Sequence, residues 1–327
     1  MGDDRDTIVV RPVTAQSPDY VRALHLAMDL PEPASGSKLQ PAVAQLFASA
    51  RNGVISIDLL YGAYLGGDLV SAVLAVESPG SAALVFVPGF VMGEQRRRAT
   101  SAVLFAMRAE TDRRAIELLE VLVDPGTSGP PEVLVQTGFR RLTTLRYLRR
   151  SVGTRPLGER QAEALRIPNL ALPIEWVCYS PSEEPLFRDA VARTYVQSLD
   201  CPELMGVRDI EEVLEGHRAV GVFDPALWWA ACRDGEPVGV MLLNRITELR
   251  TLEVVYMGVA SAARGTGVGD ALLRRALAAG AVVGVNGVAL AVDERNAPAR
   301  RLYQRWGFTE VGVRDAWIAT RAGRSSA

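Results

Sequence analysis

The chain has 327 residues, with 36 Lys and Arg against 38 Asp and Glu, a formal net charge of −2, 48% hydrophobic residues and 23% charged ones. That length exceeds the ~100–200 residues of one domain and predicts two compact units folded almost throughout. Balanced charge with scattered arginines excludes a nucleic-acid groove, and a start without an apolar leader, with no run of ~18 apolar residues after it, implies a soluble cytoplasmic protein with no membrane partner.

In the N-terminal half, Gly66-Gly67-Asp68 marks a hairpin, Leu84–Val91 reads as a strand, a helix starts near Gln95, residues 118–123 form a strand, and Gly138-Phe139 ends the pattern. Residues 151–172 carry charges with Gly153, Pro156 and Gly158, which sets a boundary there. The C-terminal half repeats the grammar. Asp234-Gly235-Glu236 is a hairpin turn, residues 252–260 are a buried strand, and a helix runs from Gly269 to Ala279 with Gly280 at its end. Residues 288–292 are a strand, Asn296 caps a helix with Pro298 in its first turn, Gly307 ends it, and a last strand starts near Phe308. Subtracting 169 lays Gly258 on Gly89, Ala271-Leu272-Leu273 on Ala102-Val103-Leu104, Val292-Asp293 on Val123-Asp124 and Gly307-Phe308 on Gly138-Phe139, without a gap. One constant offset through strand, helix, strand and helix indicates duplicated domains.

Lys38 as the sole lysine, with abundant Ala, Val and Gly, reflects a GC-rich bacterial genome. Cys178, Cys201 and Cys232 lack C-x-x-C spacing, so neither a disulfide framework nor a metal site is expected. Cys201, in Asp200-Cys201-Pro202, has no partnering histidine motif and reads as an inert thiol. His217, at the end of a helical pattern, reads as packed or solvated, and Trp228 and Trp229 as core.

The strongest local signal is Arg264-Gly265-Thr266-Gly267-Val268-Gly269 between a strand and a helix. Glycines let a backbone approach a pyrophosphate, the unpaired N–H groups of a helix start attract it, and Arg264 can add a charged contact. The Rossmann and P-loop patterns are both absent. The apolar strand ending at Val259, this turn, and Asn296 followed by Tyr303 and Gly307-Phe308 together resemble the GNAT superfamily of acyl-CoA-dependent N-acyltransferases. The resemblance is close over Glu236–Phe308 and weak before it, similar to the tandem arrangement of the mycothiol synthases with only the second copy intact.

The resemblance implies an α+β fold of two tandem domains, each a mixed, mostly antiparallel sheet flanked by helices. It sets a degenerate copy at 1–155, a linker at 156–172 and a catalytic copy at 173–321. It implies acetyl-CoA as acyl donor, with the pantetheine arm held by backbone groups of Met257, Gly258 and Val259, the pyrophosphate by Arg264 to Gly269, and Asn296 at the next helix start. The acceptor is an amine of a small molecule or peptide; nothing in the sequence specifies an oligomeric state. Tyr303, with an ordinary pKa near ~10, suits a general acid for a thiolate near ~8.5. Glu253 is the candidate general base, and its spacing of four from Met257 in a regular strand puts both on one face. In the first copy the offset gives Gln95, Arg96, Arg98 and Thr100 for Arg264, Gly265, Gly267 and Gly269, and Leu84, Thr127 and Leu134 for Glu253, Asn296 and Tyr303. That half is expected not to catalyse.

Overall fold

A computed structural model describes residues 7–31, 47, 50, 55–89, 93–126, 132–152 and 174–321. It divides into two compact units, Met1–Leu142 with Arg314–Ala327, and Thr143–Val313. The expected linker, 156–172, lies outside the described residues. The division differs from the expected 1–155 and 173–321 because strand pairing moves two segments. Leu145–Ser151 pairs with Gly287–Asp293 of the second unit, and Asp315–Thr320 pairs with Leu118–Val123 of the first.

In the first unit the strands are β1 (Ile8–Pro12), β2 (Ser56–Leu65), β3 (Asp68–Ser78), β4 (Ala82–Phe86) and β5 (Leu118–Val123), followed by the end of a long strand described below. β1 to β4 pair antiparallel in order, and β4 runs parallel to β5. Helix α1 (Tyr20–Ala27) covers one face, with Leu24, Leu60 and Leu74 buried. Helix α2 (Glu94–Arg113), with the short α3 (Glu132–Gln136), covers the other over Leu104, Met107 and Leu134.

The second unit takes β6 (Arg140–Ser151) from Thr143 onward and β7 (Glu175–Cys178), and helices α4 (Glu184–Tyr195) and α5 (Ile210–Ala219) come before the hairpin β8 (Trp228–Arg233) and β9 (Glu236–Ile246). Then follow β10 (Thr251–Val259), α6 (Val268–Val283), β11 (Gly287–Asp293), α7 (Ala297–Arg305) and β12 (Thr309–Thr320), whose last residues serve the first unit. The order is β6-β11-β10-β9-β8-β7, antiparallel except for the β10–β11 pair. One face packs on α6 and α7 through Leu252, Val254, Leu272 and Tyr303. The opposite face packs on α4 and α5 through Phe187, Leu214 and Trp228.

Both hairpins form where the glycine turns fall, and Trp228 and Trp229 are buried in the core. Helix α6 runs past the expected end at Gly280 to Gly284, which takes the left-handed φ of 75°. Gly280 serves packing instead: a Cβ there would stand 3.3 Å from Val288 Cγ2. The duplication reaches strand register, since Ala82 pairs with Leu118 and Thr251 with Gly287, and 251 − 82 and 287 − 118 both equal 169.

Candidate active site

β10 ends in a 3-10 turn, Ser261–Ala263, before the glycine turn. Gly265 and Gly267 take φ of 77° and 92°, where a side chain is strained, and Gly267 is the N-cap of α6 without a side-chain hydrogen bond. The first N–H groups of α6 are thus without a cap, as an anion-binding helix start requires. A Cβ on Gly269 would lie 3.1 Å from Leu302 Cδ2 and 3.6 Å from Met257 Cε, so glycine brings α6 close to α7 and β10. Gly258 faces Thr194, where a Cβ would fall 2.5 Å from the threonine Cβ. Thr266 is turned inward, its Oγ1 donating to Ala263 O at 2.7 Å, and Val268 is buried in the core.

β10 and β11 pair only at Thr251–Glu253 with Gly287–Ala289. Beyond that point they diverge, and the backbone of Val254–Val259 keeps only β9 as neighbour. Asn296 caps α7, its Oδ1 accepting from Ala299 N at 3.3 Å, which starts the helix that carries Tyr303. Tyr303 is 7% exposed. Its hydroxyl faces Met257 Sδ at 4.0 Å, a long contact to a weak acceptor. Burial, with the charge of Asp200 second, holds Tyr303 well above the ordinary tyrosine pKa, so the phenol keeps its proton at neutral pH.

Glu253 does not share a face with Met257. The β9–β10 ladder pairs Val254 with Leu243 and Tyr256 with Leu242, which leaves Val255 as an extra residue. A bulge of one residue reverses the alternation after it. Leu252 and Val254 face α6, as do Met257 and Val259, while Val255 and Tyr256 pack toward α4 and α5. Glu253, between Leu252 and Val254, therefore faces α4 and α5, opposite Asn244. Burial alone raises its carboxyl to about 7.

Arg264 is also not where the sequence reading put it. Its guanidinium donates to Val259 O (3.1 Å), Gln197 O (2.8 Å), Val196 O (2.9 Å) and Thr194 O (3.4 Å). It clamps the end of α4 to the end of β10 rather than reaching out for a pyrophosphate. Next along that loop are residues the sequence reading missed. Asp200 Oδ1 accepts from Asp293 N at 3.0 Å, and Cys201 N donates to Asp293 Oδ2 at 3.1 Å. Asp293 is fully buried; burial raises its carboxyl, but Arg295, Thr143 and backbone donors outweigh this and hold it below the ordinary value. The available signals were a charged residue closing an apolar strand and an aspartate before Cys201-Pro202.

His217 stacks on Tyr256 with ring centroids 5.5 Å apart, and its Nε2 is buried without a partner. Burial, then Arg208, pushes it down to about 4, so it is neutral at physiological pH. Tyr256 Oη bonds Thr194 Oγ1 at 2.8 Å. All three cysteines are free, and among the described residues no group of three or more His, Cys, Asp and Glu could hold a metal.

The first unit lacks this geometry. Helix α2 begins at Glu94, whereas the residue equivalent to Val268 is 99, so helix replaces the glycine turn. Thr100 fills the place of Gly269, its Oγ1 lying 2.7 Å from Ser71 Oγ. Leu134 is fully buried. Thr127, the counterpart of Asn296, lies outside the described residues.

Comparison with known proteins agrees with this geometry. Residues 193–308 match the acetyltransferase (GNAT) family. A mycothiol acetyltransferase from Streptomyces griseus is 30% identical over 259 residues, covering 79% of this chain and 76% of that protein. The chain belongs to the GNAT family. A second mycothiol acetyltransferase, from Beutenbergia cavernae, is 32% identical over 194 residues, and the match spans 57% of this chain and 61% of that relative. The GNAT fold extends over both units: a GCN5-related N-acetyltransferase from Sphaerobacter thermophilus aligns over 99% of this chain and 98% of its own, with a TM-score of 0.61 at 18% identity.

Proposed function

We propose that the second unit transfers an acetyl group from acetyl-CoA to an amine of a small molecule or peptide, by direct attack in a ternary complex in the cytoplasm. The observation that carries this reading is the divergence of β10 from β11 with the Tyr303 hydroxyl at Met257 on one face and the Glu253 carboxyl on the other. The uncapped start of α6 suits a pyrophosphate, and Gly269 lets that helix start pack closely against Met257 and Leu302.

Glu253, raised to about 7, takes a proton from the acceptor amine directly or through one water. Backbone N–H groups of Met257–Val259 turned away from β9 polarise the thioester carbonyl. As the new C–N bond forms and the C–S bond breaks, Tyr303 gives its proton to the departing sulfur. Base and acid act from opposite faces of β10, so the amine enters on the α4/α5 face while the thiol leaves toward α7.

The mycothiol acetyltransferase relatives favour one acceptor within this class, the amine of a thiol-bearing precursor of mycothiol. The test incubates the full chain with acetyl-CoA and a panel of amines that includes this precursor, reading CoA release and acetylated product by mass spectrometry. Acetyl-CoA binding without product from any amine would instead mark a non-catalytic acyl-CoA-binding protein.

A further inference from the structure

We infer that the His217 imidazole donates a hydrogen bond to a carbonyl or hydroxyl oxygen beside the acceptor amine, which makes His217 a specificity-determining residue. The inference rests on the transferase reading above and assigns the part of the acceptor that Glu253 does not touch.

The fold fastens His217 over the face of β10 that carries Glu253. Asn244, fully buried, is the cross-strand partner of Glu253, and residues directly opposite in an antiparallel pair share a face. The Asn244 Nδ2 donates to His217 O and to Val220 O, both at 2.6 Å, while its Oδ1 accepts from Trp228 Nε1 at 3.0 Å. The end of α5 is therefore tied to the strand position facing the candidate base.

From there the His217 ring stacks on Tyr256, with centroids 5.5 Å apart and planes 23° from parallel. Tyr256 comes three residues after Glu253, and the extra residue Val255 returns it to the Glu253 face. Tyr256 is itself fixed, by the ring of Tyr195 edge-on at 5.6 Å and by Thr194 Oγ1 at 2.8 Å. At about 3.3 Å per residue, Glu253 and Tyr256 stand roughly 7–10 Å apart along that face. The carboxyl of one and the imidazole stacked on the other can meet two groups of one small molecule.

Hydrogen bonding decides what the ring offers. Among the described residues neither ring nitrogen of His217 has a hydrogen-bond partner, and of the two only Nε2 is enclosed by protein. The side chain as a whole is half-buried, as is that of Glu253, so both can be reached from solvent. Burial, then Arg208, pushes the imidazole down to about 4, so it is neutral and carries one N–H. A buried N–H without a partner is rarer than a buried acceptor without one, which assigns the proton to Nδ1 and the bare lone pair to Nε2. His217 therefore presents a neutral donor on the face of the base. An uncharged oxygen satisfies it, whereas a carboxylate so placed would stand against the Glu253 carboxylate. Amides of α-amino acids and 1,2-amino alcohols are the favoured class, ahead of alkylamines and free amino acids.

His217→Leu removes the donor, and His217→Asn keeps one, because the asparagine Nδ2 reaches the place of Nδ1. With L-alaninamide as probe, the leucine variant is expected to lose about 10–100-fold in kcat/KM, mostly through KM, with KM for acetyl-CoA within about twofold. With isopropylamine, of similar shape without the oxygen, it stays within about threefold, and the asparagine variant recovers most of the loss with L-alaninamide. Equal losses with both amines, or no recovery with asparagine, overturn the hydrogen bond in favour of a ring that only packs on Tyr256. Nitrogen NMR needs neither turnover nor a stable leucine variant, since the chain has only two histidines, His25 and His217. The signals that disappear in His217→Asn should show a protonated Nδ1 in the wild type, and this signal should shift when L-alaninamide is titrated in with CoA present. That shift in a protein that acetylates no amine would reject the transferase reading alone; no shift, or a proton on Nε2, rejects the donor.

Discussion

Glu253→Gln is expected to stabilise the second unit in alkaline solution while it removes activity. Burial lifts the Glu253 carboxyl from the ordinary 4.5 to about 7, and no charged neighbour contributes. The folded chain therefore holds a proton that the unfolded chain has already released. Stability linked to this group is full below about pH 4.5, falls as pH rises toward 7, and is lost above it. The interval, at about 1.4 kcal/mol per pH unit, gives about 3 kcal/mol, and solvent reaching a half-buried carboxyl reduces this to about 2 kcal/mol. Glutamine carries no charge at any pH, so the variant avoids the penalty. For a unit of this size the gain corresponds to about 4–8 °C in Tm. Thermal unfolding followed by tryptophan fluorescence suits the test, since Trp176, Trp228, Trp229 and Trp306 lie in the second unit and only Trp317 in the first. The expected result is a Tm above wild type at pH 8.5 and equal to it at pH 4. A variant no more stable than wild type at pH 8.5 would refute the argument that an uncompensated carboxylate sits at this place. In the wild type the rate should climb with pH through about 7, and the variant should lack that rise.

Tyr303→Phe should lower turnover by about 10²–10⁴-fold with KM for acetyl-CoA within about threefold, read by steady-state release of CoA. Arg264→Ala should raise KM for the acceptor about tenfold while calorimetric acetyl-CoA affinity stays within about threefold, because the guanidinium holds the end of α4 on the face proposed for amine entry; the reverse pattern would return Arg264 to the pyrophosphate. Calorimetry on the full chain should find one acetyl-CoA bound, and Thr100→Gly should not create a second site.

Much of the fold was legible because glycine turns and apolar periodicity are local signals. Gly66-Gly67, Asp234-Gly235 and the offset of 169 lead directly to observed hairpins and parallel pairs. Strand exchange was not legible, since the pairing of Leu145–Ser151 with Gly287–Asp293 joins residues more than 130 apart. At the site, Tyr303, Asn296 and the glycine turn lie where spacing put them, each within one helix or turn. Glu253 was misplaced because a strand was assumed to alternate without interruption, and nothing in LEVVYMGV marks Val255 as the extra residue. Arg264 was misplaced because its partners, the carbonyls of residues 194–197, lie about 70 positions away and carry no sequence signature. Asp200 was passed over for its neighbour Cys201, since only the fold reveals that Asp293 and Asn296 hold it.

The two copies diverge in backbone before they diverge in chemistry. Their parallel pairs keep one register, yet β4 stops at Phe86 and the position equivalent to Met257 is Pro88, which has no N–H to offer a carbonyl. β10 instead bulges at Val255 against its neighbour β9 and continues to Val259. The second divergence lies at the next helix. Arg96, Arg97 and Arg98 are good helix formers and α2 starts at Glu94, whereas φ of 77° and 92° at Gly265 and Gly267 hold off helix until Val268. In equivalent positions, 94 against 268 − 169 = 99, this moves the helix start by five residues, or about 7 Å. A helix start so displaced cannot address a pyrophosphate in the same place, whatever side chains surround it. The bulge and the glycine turn together set the Glu253 carboxyl and the Tyr303 hydroxyl of the second copy on opposite faces of β10; without them the first copy closes over Leu134 and Thr100 as an ordinary core.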